Sequence, residues 1–269
     1  MASAVVSVLD PVGALAIDPK VAAAKAAGVE VFPLKGTPTR PLPRHIKEAV
    51  IKAMEEEPSR PSRGLEDLRA AIAAFLKETY GAGVDPGRSI LVTNGAMHAV
   101  SVLCGALLNP GDQVVMPSPT FFFDGIVRLA GGKPVYVSCD ESQGWCWDLD
   151  QIAEAIGPRT RMLIACNPGN PTGYVPTRHD METLVALAKK HDFVLVSDES
   201  FECLVYDGTP FTSAATLDST WRNLVLVRST SKSYAMSTWR VGYIVAEPLL
   251  IDTCLKVLEY QCLYCGYVA

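Results

Sequence analysis

No stretch of this chain reaches the roughly 20 consecutive apolar residues that a membrane-spanning helix requires. The start, up to Ala26, also lacks a basic segment followed by an apolar core, being broken by Asp10, Pro11, Gly13, Asp18 and Lys20, so no signal peptide is read there. A basic run is missing too, and with a net charge of -5 neither nucleic acid nor an anionic membrane is an obvious partner. The eight cysteines are scattered through apolar segments instead of being spaced as a disulfide framework, and are expected to be reduced core residues. Cys262-x-x-Cys265 has no second pair to complete a metal site and is set aside. No internal repeat or low-complexity tract interrupts the chain. A soluble, cytoplasmic protein is expected.

What is present is 269 residues, 49% hydrophobic and 20% charged, enough for a sizeable core in one large or two modest domains. The early chain predicts a helix over Pro19 to Ala27, a strand over Val29 to Leu34, a helix over Arg44 to Glu56 and another over Leu65 to Tyr80. The last buries Leu65, Leu68, Ile72, Phe75 and Leu76 on one face and is closed by Gly81. Strands and helices then alternate. Strands are expected at Ile90 to Thr93, Gln113 to Met116, Lys133 to Val137, Arg161 to Ala165, Phe193 to Ser197, Leu224 to Val227 and Val241 to Ala246. Helices fall at Gly95 to Leu108, Phe121 to Ala130, Leu149 to Ile156, from the capping box Thr177-x-x-Asp180 to Lys190, and from Leu249 onward. This alternation predicts an α/β fold with a mostly parallel sheet covered on both faces. The last helix meets no stop signal before Ala269, so a further C-terminal segment is expected.

The chemistry gathers around Ser229-Thr-Ser-Lys-Ser-Tyr-Ala-Met-Ser-Thr-Trp-Arg-Val-Gly242. Lys232 follows a buried strand and is expected to emerge at its loop end, the usual site edge of an α/β sheet. Desolvation or a neighbouring cation such as Arg240 would lower its pKa enough to attack a carbonyl. Ser229, Ser231 and Arg240 suit a phosphate dianion, because hydroxyls and a guanidinium fork satisfy several oxygens at once. Pyridoxal 5'-phosphate supplies both an aldehyde and a phosphate. The same stretch also reads as a serine-rich helix start with a surface lysine, so other strand ends must decide.

Three of them converge. Thr93-Asn-Gly-Ala-Met97 offers free backbone N-H groups at a helix start, with Gly95 allowing close approach of a phosphate. Asn167-Pro-Gly-Asn-Pro-Thr-Gly173 is a rigid loop presenting the Asn170 amide. Ser197-Asp-Glu-Ser-Phe201 places Asp198 as an acid at a cleft floor, or as the cap of the next turn.

From about Gly36 to the end, this joint set resembles the class I/II aminotransferases, fold type I enzymes that use pyridoxal phosphate. The resemblance implies a three-layer α/β/α fold with a mostly parallel seven-stranded sheet, the aspartate-aminotransferase-like large domain, over residues 48–269. Residues 1–47 would form an N-terminal arm and part of a small domain that is otherwise largely missing. It implies that Lys232 forms the cofactor aldimine and then shuttles a proton, and that Asp198 pairs with the pyridine nitrogen. Asn170 would bond the phenolic oxygen and Phe121 stack on the ring, while Gly95, Ala96, Met97, Ser229 and Arg240 hold the phosphate. Partners would be an amino acid, a 2-oxo acid and, at full length, a second copy of the chain.

Departures from the family pattern bear on the reaction. Phe201 stands where many members carry a tyrosine that donates to the phenolate, so the imine should titrate at a higher pH. Ser59 replaces a tyrosine that reaches the partner subunit's phosphate, and Thr238 a glycine. The arginine that binds the substrate carboxylate in this family would lie beyond Ala269. Glu199, His98 and Trp239 fit structural and substrate-facing roles equally. The expected function is transamination; alternatives on the same scaffold are β-elimination by a C–S lyase, amino acid oxidation, or a cofactor-binding module without turnover.

Overall fold

A computed structural model of the chain describes residues 3, 5–9, 16–32, 41–56 and 61–266. The expected strand at Val29 to Leu34 does not form over its described residues, 29–32, which pair with no strand among the described residues. Residues 33 and 34 lie outside the described set, as do Ser59 and the Lys35 to Pro38 loop.

Seven strands form one sheet: β1 (Ile90–Thr93), β2 (Gln113–Ser118), β3 (Lys133–Ser138), β4 (Thr160–Cys166), β5 (Val194–Asp198), β6 (Leu224–Ser229) and β7 (Gly242–Val245). Their order is β1-β7-β6-β5-β4-β2-β3, and β7 alone runs against its neighbours. The remaining pairings, β2 with β3 and β4, β4 with β5, and β5 with β6, are parallel. The helices are α1 (Asp18–Ala26), α2 (Arg44–Glu55), α3 (Glu66–Tyr80), α4 (Ala96–Leu107), α5 (Phe123–Leu129), α6 (Leu149–Ala155), α7 (Arg178–His191), α8 (Thr230–Ser233) and α9 (Pro248–Cys262). Among the described residues no helix is long and apolar enough to cross a membrane.

Period-two alternation along the strands divides the core into two layers. Met162, Ile164, Val196, Val225 and Val227 face α4, α5 and α9, whereas Leu163, Ala165, Leu195, Leu224 and Leu226 face α3, α6 and α7. Leu76 and Ile72 anchor α3 as its apolar stripe predicts, and Gly81 ends it in a left-handed conformation (φ 70°). The capping box at α7 is formed: Thr177 Oγ1 accepts from the Asp180 N-H, and Asp180 accepts from the Thr177 N-H. Helix α5 begins at Phe123 and not at Phe121, leaving the Phe121 ring in the loop above the sheet.

Carried one residue further, the same alternation decides where the polar groups at the strand ends point. In register, Cys166 pairs with Asp198 and Asp198 with Val227. Asp198 and Ser229 therefore share the α4/α9 face, and Glu199 and Arg228 share the other. On that second face Arg228 Nη2 and Glu199 Oε2 form a 2.6 Å ion pair, with the two side chains 1% and 0% exposed. Glu199 also accepts from Ser213 Oγ, the Ala214 N-H and Ser197 Oγ, and the Arg228 guanidinium lies 4.7 Å from the Tyr80 ring centre.

Candidate active site

The carboxyl ends of β4, β5 and β6, the start of α4 and the turn α8 surround a cavity of about 250 Å³. Of the residues singled out from the sequence, Ala96, Met97, Phe121, Asp198, Ser229, Lys232 and Arg240 line it. So does Ser231, which the phosphate argument named, and so does Phe201. Asn170 lies in an adjoining crevice that shares Cys166 with the cavity. Gly95 is not on the wall itself. It sits at the N-cap of α4 with φ 84°, and a Cβ there would collide with the Arg240 guanidinium. The close approach that the glycine permits is therefore by an arginine of the chain.

Lys232 does not emerge from a loop, as its place after a strand suggested; it sits in the single turn α8, half-buried, because Ser229 Oγ caps the turn by accepting from the Ser231 N-H. Its Nζ lies 5.4 Å from the Phe201 ring centre. Burial, and after it the Arg240 charge, lower its pKa from the ordinary lysine value. A larger share of unprotonated, nucleophilic amine follows.

Asp198 is 5% exposed, and burial raises its pKa to about 6 against the opposing bonds from Ser200. Its Oδ1 accepts from the Ser200 N-H (3.0 Å) and Oγ (2.6 Å), so the carboxylate caps a turn and faces the cavity at once. Arg240 holds a left-handed backbone (φ 57°), and its guanidinium donates to the Ser237 carbonyl at 2.8 Å and the Asn94 carbonyl at 3.1 Å. A Cβ on Gly242 would lie 2.6 Å from the Gly95 carbonyl carbon, so the segment after Arg240 packs directly on the start of α4.

Cys166, Ser200 and Ser237 also line the cavity and were not picked out from the sequence. Strand register would have pointed to Cys166, which stands beside Asp198; Ser200 and Ser237 are found only once the turns are built. Glu199 faces away into its ion pair, and His98 bonds to Asn94 and Gln261. Thr238 is exposed in the short 3-10 turn Ser237–Trp239.

A family model described as aminotransferase class I and II matches residues 34–268. The chain belongs to the class I and II aminotransferases. It is 36% identical over 261 residues to the aspartate aminotransferase of Bacillus subtilis, covering 95% of this chain and 66% of that protein. It is 35% identical over 229 residues to that of Pyrococcus abyssi, covering 84% of this chain and 59% of the relative. The solved aspartate aminotransferase from Thermus thermophilus with maleate superposes with a TM-score of 0.92 at 32% identity, covering all of this chain and 70% of that one. Relative to a putative aminotransferase of B. subtilis the chain spans 56% of the length.

Family members use pyridoxal phosphate, and the cavity fits that group on its own chemistry. A cationic and hydroxyl-lined end (Arg240, Ser229, Ser231, the α4 start) suits a phosphate, a buried acid suits a protonated ring nitrogen, and an amine of lowered pKa suits an aldehyde.

Proposed function

We propose that the chain is a pyridoxal-phosphate-dependent aminotransferase that moves an amino group from an amino acid to a 2-oxo acid. The observation that carries this reading is the meeting of Lys232, Asp198, Ser229 and Arg240 around one cavity. Bound pyridoxal phosphate supplies an aldehyde for capture by an amine and a ring that accepts the electrons left when the substrate Cα–H bond breaks. Lys232 Nζ would be the amine that meets the aldehyde, and the same nitrogen would be the base that takes the substrate Cα proton. Ser229 Oγ, Arg240 and the first N-H groups of α4, from Ala96 and Met97, are assigned to the phosphate, whereas the Gly95 N-H is already given to the Thr93 carbonyl and Gly95 serves by making room for Arg240. The helix dipole there adds about 0.3–1 kcal/mol for an anion. Phe121 is assigned to stacking on the ring, at about 1 kcal/mol, and Asn170 to the phenolic oxygen from the adjoining crevice.

Asp198 is assigned to the ring nitrogen. Its raised pKa has a measurable consequence without any cofactor. A carboxyl whose folded pKa lies above its unfolded value of 3.8 stabilises the fold below that value, and the contribution is lost as pH rises through about 6. The Asp198→Asn chain is therefore expected to lose less stability than the wild type between about pH 4 and pH 7, by on the order of 3 kcal/mol in urea titrations. Parallel profiles would remove Asp198 as the buried acid.

The organisation proposed is a large cofactor domain over residues 48–269 preceded by an arm over residues 1–47, with α2 running from one into the other. A second copy as partner and a cytoplasmic setting complete the reading. All eight cysteines carry free thiols, and Cys104, Cys166 and Cys254 serve as buried core residues, which supports a reducing compartment.

The test is visible absorption of the purified chain with pyridoxal phosphate, before and after a panel of amino acids beginning with aspartate and the aromatic residues. Conversion of the visible band to a pyridoxamine-type band, with release of the matching 2-oxo acid, is expected. Ammonia with pyruvate would instead indicate β-elimination, and consumption of dioxygen would indicate oxidation.

A further inference from the structure

A hydrogen-bond path at the start of α4 connects the far end of α9 to the cavity. The Asn94 N-H donates to His98 Nδ1 at 3.0 Å. The other ring nitrogen, Nε2, lies 2.9 Å from Gln261 Oε1, in the last turn of α9. A backbone N-H only donates and an amide oxygen only accepts, so the ring is neutral with its hydrogen on Nε2. Asn94 is held on two further sides: its carbonyl accepts from Arg240 Nη2 at 3.1 Å, and its side-chain amide donates to Cys262 Sγ at 3.5 Å.

We propose that His98 is a positioning residue for the phosphate end of the site: as a neutral imidazole it fixes Asn94 between α4 and α9, and Asn94 fixes the Arg240 guanidinium beside the cavity. The inference rests on the pyridoxal-phosphate reading of that cavity. His98 is the third residue of α4, after Ala96 and Met97; a capping box reaches from this position to the N-cap N-H, but here the N-cap Gly95 N-H donates to Thr93 and His98 reaches one residue further back, to Asn94. A glutamine there keeps an acceptor for the Asn94 N-H and removes the titration.

Protonation would convert Nδ1 into a donor facing another donor, so the path is intact above the His98 pKa and broken below it. Burial, then the charge of Arg240, lower that pKa from its ordinary value, and the bond to Gln261 opposes them. Asn94, from the loop before α4, and Gln261, from α9, are the uncharged groups that meet the ring; Arg240, from the segment before β7, is the charged group acting on it.

The test uses the wild type, His98→Ala and His98→Gln. Binding of pyridoxal phosphate and of pyridoxal, which lacks the phosphate, is titrated from about pH 8 down to about pH 4.5, a range carried well below an ordinary histidine pKa because that of His98 is lowered. Nitrogen–proton NMR of the four histidines reports the tautomer, with His98 identified by its disappearance in the variants. The Nε2-H tautomer is expected. His98→Ala should bind pyridoxal phosphate roughly tenfold more weakly, the value of about one hydrogen bond, with pyridoxal affinity unchanged. His98→Gln should match the wild type at the higher pH and lose less affinity at the lower one. The Nδ1-H tautomer, equal losses for both ligands in His98→Ala, or the same pH dependence in His98→Gln would each overturn the proposal. Failure of the wild type to bind pyridoxal phosphate would sink the functional reading instead. The tautomer, and inorganic phosphate affinity with and without His98, would still decide the positioning role.

Discussion

Replacement of Lys232 by alanine is expected to eliminate the visible band formed with pyridoxal phosphate and to lower turnover by at least about 10³-fold, since nucleophile and general base are lost together. Among the described residues that line the cavity no other amine stands in for it: Arg240, the other cation there, is engaged with Ser237 and Asn94. Affinity for the phosphate end should fall far less, because Ser229, Arg240 and the α4 N-H groups remain in place. Equilibrium dialysis beside absorption spectroscopy separates these two effects. Persistence of the band in Lys232→Ala would mean that another amine captures the aldehyde, and a loss of phosphate binding as large as the loss of turnover would mean that the substitution disrupted the fold.

The largest effect on stability is expected on the opposite face of the sheet. Arg228→Met leaves the Glu199 carboxylate buried without its cation, and Glu199→Gln leaves the guanidinium without its anion, each expected to cost about 3–5 kcal/mol. That is a large part of the 5–15 kcal/mol typical of a whole fold, measured here as a fall in the urea midpoint. The double variant should recover part of the loss. Its glutamine still offers an oxygen to the Ala214 N-H, whose bond to Glu199 is 2.6 Å, and no lone charge remains. Costs below about 1 kcal/mol for both single variants would show that water or neighbouring residues compensate the unpaired buried charge. This pair also explains why Glu199, next to Asp198, belongs to the scaffold: one residue along a strand reverses the face, so the acid at 198 points into the cavity and the acid at 199 into the core.

Much of the fold was legible because its signals are local. The seven strands are short apolar runs between turn residues, and the helices α3 and α7 carry an apolar stripe or a capping box that needs no tertiary contact to be recognised. The strand expected at Val29 failed for the complementary reason: an extended apolar segment becomes a strand only when a neighbour completes its ladder. The candidate site was legible in the same way. Lys232, Asp198, Gly95, Phe121, Ser229 and Arg240 each lie at a strand end or helix start with the chemistry in the residue type itself.

The sequence by itself determined the α/β alternation, the residue types at the strand ends and the family that carries them. Tertiary structure alone decided which of those residues meet. It put Lys232 in a helical turn, turned Glu199 and Arg228 to the far face, moved Asn170 into a neighbouring crevice, and brought Arg240 across 146 residues to the Asn94 carbonyl. The physical reason is range. Propensity, capping and alternation act within a few residues along the chain, whereas burial, register and the long-range bonds that set pKa values exist only after the sheet has assembled.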